Sequence, residues 1–199
     1  MKTVLIASKN KGKLEEYRQL LSRYGYQVLS LFDYPMIEEI EEPFLTFEEN
    51  ALYKARMLYN FIQQPVIADD SGLMVEALNG APGVHSKRFS SSGTDEANND
   101  LLIEKMKDIN NRQAKFVAVI AYLDEFGNSY LFSGETKGII LDKPQGQLGF
   151  GYDPLFYIEE KHKSYAELTL DEKNTLSHRA KAFHQFFSFL EGNNEVGRI

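Results

Sequence analysis

Val66-Ile67-Ala68-Asp69-Asp70-Ser71-Gly72 is a short apolar run that stops abruptly at two acids, a hydroxyl and a glycine. It reads as a buried strand that delivers carboxylates to an edge. Side chains alternate along a strand, so Asp69 and Asp70 should point to opposite faces. One acid can then face a cleft while the other braces the turn. Paired carboxylates at a strand end suit Mg²⁺ or a polarised water, and both serve phosphate chemistry. The competing reading is an ordinary Asp-Ser-Gly turn after a strand.

Elements of both kinds surround this strand. Residues 3–7 form an apolar first strand, followed by a helix with Leu14, Tyr17, Leu21 and Tyr24 on one face and Gly25 as its stop. Residues 28–31 suggest a second strand. Thr46 with Glu49 three residues on is a capping-box pattern, and the helix behind it buries Phe47, Ala51, Ala55, Leu58 and Ile62. Downstream come a short helical piece near 73–78, a Gly/Pro/Ser-rich loop over 79–93 and a helix over 95–107. Residues 116–123 and 130–136 flank Glu125-Phe126-Gly127-Asn128 and read as a β-hairpin. A short strand is expected at 155–158. A last helix from Thr169 or Asp171 buries Leu176, Ala180, Phe183, Phe187 and Leu190. The alternation is α/β, and the hairpin excludes a purely parallel sheet.

With 199 residues the chain is long enough for one well-packed domain. No apolar run approaches the roughly 20 residues of a membrane span, and residues 1–6 are too short in their apolar part for a signal peptide. The absence of cysteine excludes disulfides and thiolate metal sites, which fits a cytoplasmic location. A net charge of −7 argues against broad nucleic-acid binding, though a nucleotide needs only a few local cations.

Those cations are present. Lys9, Lys11 and Lys13, with Asn10 and Gly12, open the first helix, where backbone N–H groups and lysines together make an anion site. It is not a Walker loop, because Leu14 follows Gly12-Lys13 and Ala7 stands where the first glycine would be. Glu38, Glu39, Glu41 and Glu42 form an acidic run: a solvated face, or a source of a second metal ligand beside Asp70. Gly149-Phe150-Gly151-Tyr152-Asp153-Pro154 places an aromatic between two glycines, which either presents the ring to a base or tucks it into the core. Lys173 could reach phosphate, and His178 and Arg179 can donate to a carbonyl oxygen. The remaining histidines have no metal-ligand spacing.

Six blocks in order carry a resemblance: Ser8-Lys9-Asn10-Lys11-Gly12-Lys13, Thr46 to Ala51, Ala68 to Leu73, Gly80-Ala81-Pro82-Gly83, Gly149 to Pro154, and Ser177-His178-Arg179. The chain resembles the inosine/xanthosine triphosphate pyrophosphatases from end to end. The resemblance implies an α/β fold with an elongated mixed β-sheet, flanking helices, and two lobes of a single 1–199 domain with the active-site cleft between them. It implies Mg²⁺-dependent hydrolysis of deaminated purine nucleoside triphosphates to monophosphate and pyrophosphate, by a homodimer. Position by position, Ser8, Lys9, Asn10, Lys11, Gly12 and Lys13 would cradle the triphosphate. Glu42 and Asp70 would hold the metal, and Asp70 would accept the proton of the attacking water, with Asp69 as the rival base. Ser71 would contact the nucleotide, and Lys54 and Lys173 would neutralise phosphate charge. Phe150, Gly151, Tyr152 and Asp153 would shape the base pocket with His178 and Arg179. Gln147-Leu148 departs from the Thr-Gly that the family often has there. The Maf-type pyrophosphatases are a second reading, but they favour an arginine pair where Asn10 and Lys13 stand and lack the Ser-His-Arg block. A catalytically silent nucleotide-binding protein is the third.

Overall fold

The computed structural model describes residues 2–38 and 40–192. Glu39 of the acidic run lies outside the described residues. The strands are β1 (Lys2–Ile6), β2 (Tyr26–Ser30), β3 (Val66–Val75), β4 (Gln113–Leu123), β5 (Ser129–Ile140), β6 (Phe156–Ile158) and β7 (Lys163–Ser164). The helices are α1 (Lys11–Ser22), α2 (Phe47–Ile62), α3 (Asp95–Lys105), α4 (Leu170–Leu176) and α5 (His178–Leu190). The sheet order is β2-β1-β3-β4-β5-β6-β7. β1 pairs in parallel with β2 and β3, while β5–β6 and β6–β7 are antiparallel. The fold is therefore mixed α/β, as the hairpin required.

Two compact units divide the chain: Met1–Asp70 with Ala118–Gly134 and Arg179–Ile199, and Ser71–Val117 with Glu135–His178. In the first, Leu14, Tyr17, Leu20 and Leu21 of α1 pack with Ile6, Ile67, Ile120, Phe132, Phe183 and Phe186. In the second, Leu73, Val75, Leu102, Phe116, Ile140, Phe156 and Tyr165 form the core. These are the apolar faces that helix and strand periodicity mark out in the sequence.

Four expectations need correction. Asp69 and Asp70 are not at a strand end, because β3 runs through Ser71-Gly72 to Val75. Leu73 N donates to Ser86 Oγ, Met74 bridges Pro82, and Val75 N donates to Ala81 O. These tertiary partners keep the backbone extended where local turn chemistry favoured a bend. The helical piece shrinks accordingly to one 3₁₀ turn, Glu76–Leu78, and the 79–93 loop holds a second, Gly83–Arg88. The last helix is two helices. Thr169 and Glu172 form a capping box on α4, and Ser177, extended at φ −69° and ψ 156°, separates it from α5. Tyr24 lies beyond α1, half-exposed and stacked on Phe187 with ring centroids 3.4 Å apart; Ile62 is only half-buried and Leu190 is exposed.

Candidate active site

In the first unit the turn after β1 is shaped by its own side chains. Ser8 Oγ accepts from Asn10 N, and Asn10 Oδ1 accepts from Lys13 N at 3.0 Å, making Asn10 the N-cap of α1. The cap leaves the first N–H groups of a twelve-residue helix at the mouth of the turn, a natural anion site. The three lysines separate in role. Lys9 Nζ donates to Ile37 O, Lys11 is exposed, and Lys13 Nζ lies 2.9 Å from Asp69 Oδ2.

A second arm comes from α2. Thr46 caps it and shares a hydrogen bond with Glu49 at 2.7 Å, as the capping box predicts. One turn in, the fully buried Asn50 accepts from Phe44 N and donates to both Phe44 O and Asp70 Oδ2, the last at 3.0 Å. Lys54, a further turn along the same face, pairs with Glu42 Oε1 and donates to the main-chain oxygen of Asp69. The clasp on Phe44 thus sets the segment that delivers Glu42, two residues upstream.

The two aspartates sit in opposite fields. Burial pushes Asp69 upward, but Lys13, Arg179 and Lys54 together outweigh it and hold the carboxyl well below the usual carboxylate range. Burial also pushes Asp70 up, to about 6, with the like charge of Glu42 adding to it against the pull of Lys54, Lys13 and Asn50. Glu42 is lowered: its burial is outweighed chiefly by Lys54. Lys54 rises in turn, since Glu42, Asp69 and Asp70 more than offset its own burial. One acid is a fixed anion; its neighbour is poised to exchange a proton.

Arg179 also belongs to this unit. It is 2% exposed, ion-paired with the equally buried Glu16, with its guanidinium 5.6 Å from the Tyr17 ring centre and Nε 3.9 Å from Asp69 Oδ2. The guanidinium of Arg179, to which the family resemblance gives a base-reading role, pairs with Glu16.

The second unit holds the remaining candidates. Gly149, at φ +77°, leaves no room for a side chain, since a Cβ there would lie 2.0 Å from Asp153 Oδ2. That oxygen accepts from Phe150 N at 2.9 Å and from Lys173 Nζ. Lys173 Nζ stands 5.0 Å from the Phe150 ring centre and 5.1 Å from that of Tyr165, within cation–π range of both. The same ammonium, which the resemblance assigns to phosphate charge, is buried and paired with Asp153. Gly151 is clasped from α3, its N donating to Asp95 Oδ2 and its O accepting from Asn99 Nδ2. Tyr152 Oη donates to Ser86 O. His178 is buried and stacks on Phe116 at 4.8 Å and 12°. Ser71, half-buried in β3, is the first residue of this unit.

Sequence reasoning did not single out Asn50, Glu16, Ser86, Asp95 or Asn99 as site residues. Asn50 could have been found, because it lies between Ala51 and Phe47 on the buried face of α2 and one turn before Lys54. Glu16 had the same signal: it lies beside Leu20 on the apolar face of α1.

Fold and site together define an α/β protein that sets a lysine-bearing helix start against buried carboxylates. The chain belongs to the Ham1 family, whose model matches residues 4–189. It is 47% identical over 185 residues to the dITP/XTP pyrophosphatase of Geobacter sulfurreducens, covering 92% of this chain and 93% of that protein. The dITP/XTP pyrophosphatase of Bacillus cereus is 45% identical over 190 residues, with 93% of each chain covered. Among solved structures, the Staphylococcus aureus Ham1 protein superposes with a TM-score of 0.85 at 38% identity, covering 97% of this chain and all of that one.

Proposed function

We propose that this protein hydrolyses deaminated purine nucleoside triphosphates, ITP, dITP and XTP, at the α–β anhydride bond to give the monophosphate and pyrophosphate. Its relatives named dITP/XTP pyrophosphatase, matched along nearly their full length, support this class of reaction. The observation that carries the mechanism is the divergence of the two aspartates: Asp69 is held as an anion by Lys13, and Asp70 is pushed to about 6.

Among the described residues no group of three or more acids, histidines or cysteines gathers to hold a metal ion. Glu42 and Asp70 nonetheless supply two hard oxygen donors, close enough that the charge of Glu42 raises the proton affinity of Asp70. Mg²⁺ takes one or two carboxylates and completes its shell with water and substrate phosphates, so this pair fits Mg²⁺ that arrives with a nucleotide. When bound, the ion would neutralise phosphate charge and acidify a water.

The chain's own residues do the rest. The start of α1 and Lys13 bind phosphate oxygens, and Asp70 accepts the proton of the water that cleaves the anhydride. Asn50 holds Asp70 in orientation for that transfer, and Lys54 offsets charge between Glu42 and the substrate. Phosphoryl transfer is mainly alignment and charge neutralisation, which such a set supplies.

Phe150 would offer a ring for the base to stack on, and His178 would donate to a 6-oxo group. Adenine, with a 6-amino group, would leave that donor unpaired, a mismatch that discriminates strongly when buried. Ser71 contacts the nucleotide, and the enzyme acts as a cytoplasmic homodimer. No helix among the described residues is long and apolar enough to cross a membrane.

The test is pyrophosphate release with Mg²⁺ across ITP, XTP, dITP, dTTP and ATP. Turnover of the first three well above ATP is expected. A preference for dTTP would favour the Maf-type reading, and equal turnover of ATP and ITP would defeat the pocket.

A further inference from the structure

A buried acid on the apolar face of a helix is unusual, because glutamate is seldom fully buried unless paired. Glu16 is 2% exposed, between Leu14, Tyr17 and Leu20 of the first unit's core. Its partner Arg179 is equally buried, and Arg179 is the second cation beside Asp69. Lys13, on the same helix and three residues before Glu16, is the first. Four alternating charges therefore close a ring through one turn of α1: Lys13, Asp69, Arg179, Glu16.

Stability does not account for such a ring. Buried ion pairs are often replaced by packed apolar residues at little or no loss. The distances point elsewhere. Arg179 Nε stands 3.9 Å from Asp69 Oδ2, whereas Lys13 Nζ reaches the same oxygen at 2.9 Å. Glu16 draws the guanidinium toward itself and leaves Lys13 as the closest cation of Asp69. Without the Glu16 charge, Arg179 would close on Asp69, and Lys13 would lose its anchor.

We infer that Glu16 is a positioning residue, which acts through Arg179 and Asp69 to fix the Lys13 ammonium for the substrate's phosphates. The inference rests on the proposed triphosphate hydrolysis only for the identity of the anion. It also gives Asp69 a task distinct from proton transfer: its carboxylate aims Lys13 while its main-chain oxygen receives Lys54.

The test is a double-mutant cycle of Glu16→Gln with Lys13→Ala, read as KM and kcat for ITP and as calorimetric affinity for inorganic pyrophosphate. Glu16→Gln is expected to raise KM and weaken pyrophosphate binding by about 10-fold, the weight of one charge-assisted hydrogen bond, with kcat nearly unchanged. On the Lys13→Ala background it should add nothing further, because both changes remove the same contact. Glu16→Asp, which keeps the charge, should recover most of the loss. Additive effects in the cycle, or an unaltered KM and pyrophosphate affinity, would overturn the inference. Should Glu16→Gln fail to fold, Arg179→Lys runs the same cycle with the buried positive charge kept. A wild-type protein that releases no pyrophosphate from any triphosphate defeats the proposed activity, while the pyrophosphate-binding cycle still decides the role of Glu16.

Discussion

Asn50 Nδ2 donates to Asp70 Oδ2 at 3.0 Å while the same side chain clasps the backbone N–H and C=O of Phe44. A single buried amide thus fixes the orientation of one carboxylate and the path of the segment that delivers another, Glu42. Its neighbour in β3, Asp69, is held differently, chiefly by the cations Lys13, Arg179 and Lys54. The electrostatic divergence of Asp69 and Asp70 follows from that difference in surroundings and gives them separable roles.

Asp70→Asn should abolish turnover, by about 100-fold or more for the loss of a general base. The same change should stabilise the metal-free protein at neutral pH. A carboxyl whose folded pKa is raised to about 6 from 3.8 contributes most below the lower value, and that contribution is lost as pH rises through about 6. At pH 7 the ionised, buried group therefore opposes folding, by about 1–3 kcal/mol. Asp69→Asn has the opposite signature: lower stability at pH 7 and a raised KM, with kcat retained in part. Thermal unfolding and steady-state kinetics on the two variants decide it; loss of kcat in Asp69→Asn alone would reverse the assignment.

The acid limb of kcat/KM for the free enzyme should fall below about pH 6, where Asp70 becomes protonated. Mg²⁺ affinity should weaken over the same range, because a carboxylate ligand must be deprotonated to bind. Chelation should abolish activity, and Mg²⁺ titrated back should raise Tm at pH 7.5 more than at pH 5.5. A Tm indifferent to Mg²⁺ at both values would exclude a site on Glu42 and Asp70. Asp69 works at the other end of the scale. Its depressed pKa contributes stability above the ordinary carboxylate range that is lost as pH falls toward the folded value.

Asn50→Ala should lower kcat by about 10-fold or more through misalignment of Asp70. It should also destabilise the fold by about 1–2 kcal/mol, since the hydrogen bonds to Phe44 and Asp70 go with it. Asn50→Asp is the sharper probe. A second carboxylate beside Asp70 raises its proton affinity further, so the acid limb of the rate profile should move to higher pH.

Much of this was legible in the chain because it depends on local rules. The Thr46–Glu49 cap, the helix start just after Lys9-Asn10 and the apolar runs of β1 and β4 are set within a few residues, and the structure holds them. The errors arose where distant partners override local preference. Ser71-Gly72 has turn chemistry, yet Ser86, Ala81 and Pro82 keep β3 extended through it. The break at Ser177 is masked because the apolar spacing Leu176, Ala180, Phe183 runs across it at helical period, although Asn174 and Thr175 are weak helix formers and Ser is a favoured N-cap. The ion-pair partners of Arg179 and Lys173 were a separate matter, untouched by local rules, since Glu16 and Asp153 lie 163 and 20 residues away from them. Which anion takes a cation is a tertiary fact, and spacing along the chain does not carry it.

Gly149→Ala tests how tightly the Phe150 loop is built. The added methyl would meet Asp153 Oδ2 at 2.0 Å, on a backbone whose φ of +77° already disfavours any side chain. Asp153 cannot retreat easily, since the same oxygen holds Phe150 N and Lys173 Nζ. The strain should therefore be relieved by displacing the loop, which moves the Phe150 ring and releases Lys173 from Asp153. If Phe150 stacks on the base, KM for ITP should rise by about 10-fold, in line with about 1–3 kcal/mol per stacked base. Binding of inorganic pyrophosphate, which has no base, should stay the same. Equal weakening of both ligands would place the Phe150 loop on the phosphates instead. Paired ITP kinetics and pyrophosphate calorimetry on the one variant distinguish these outcomes.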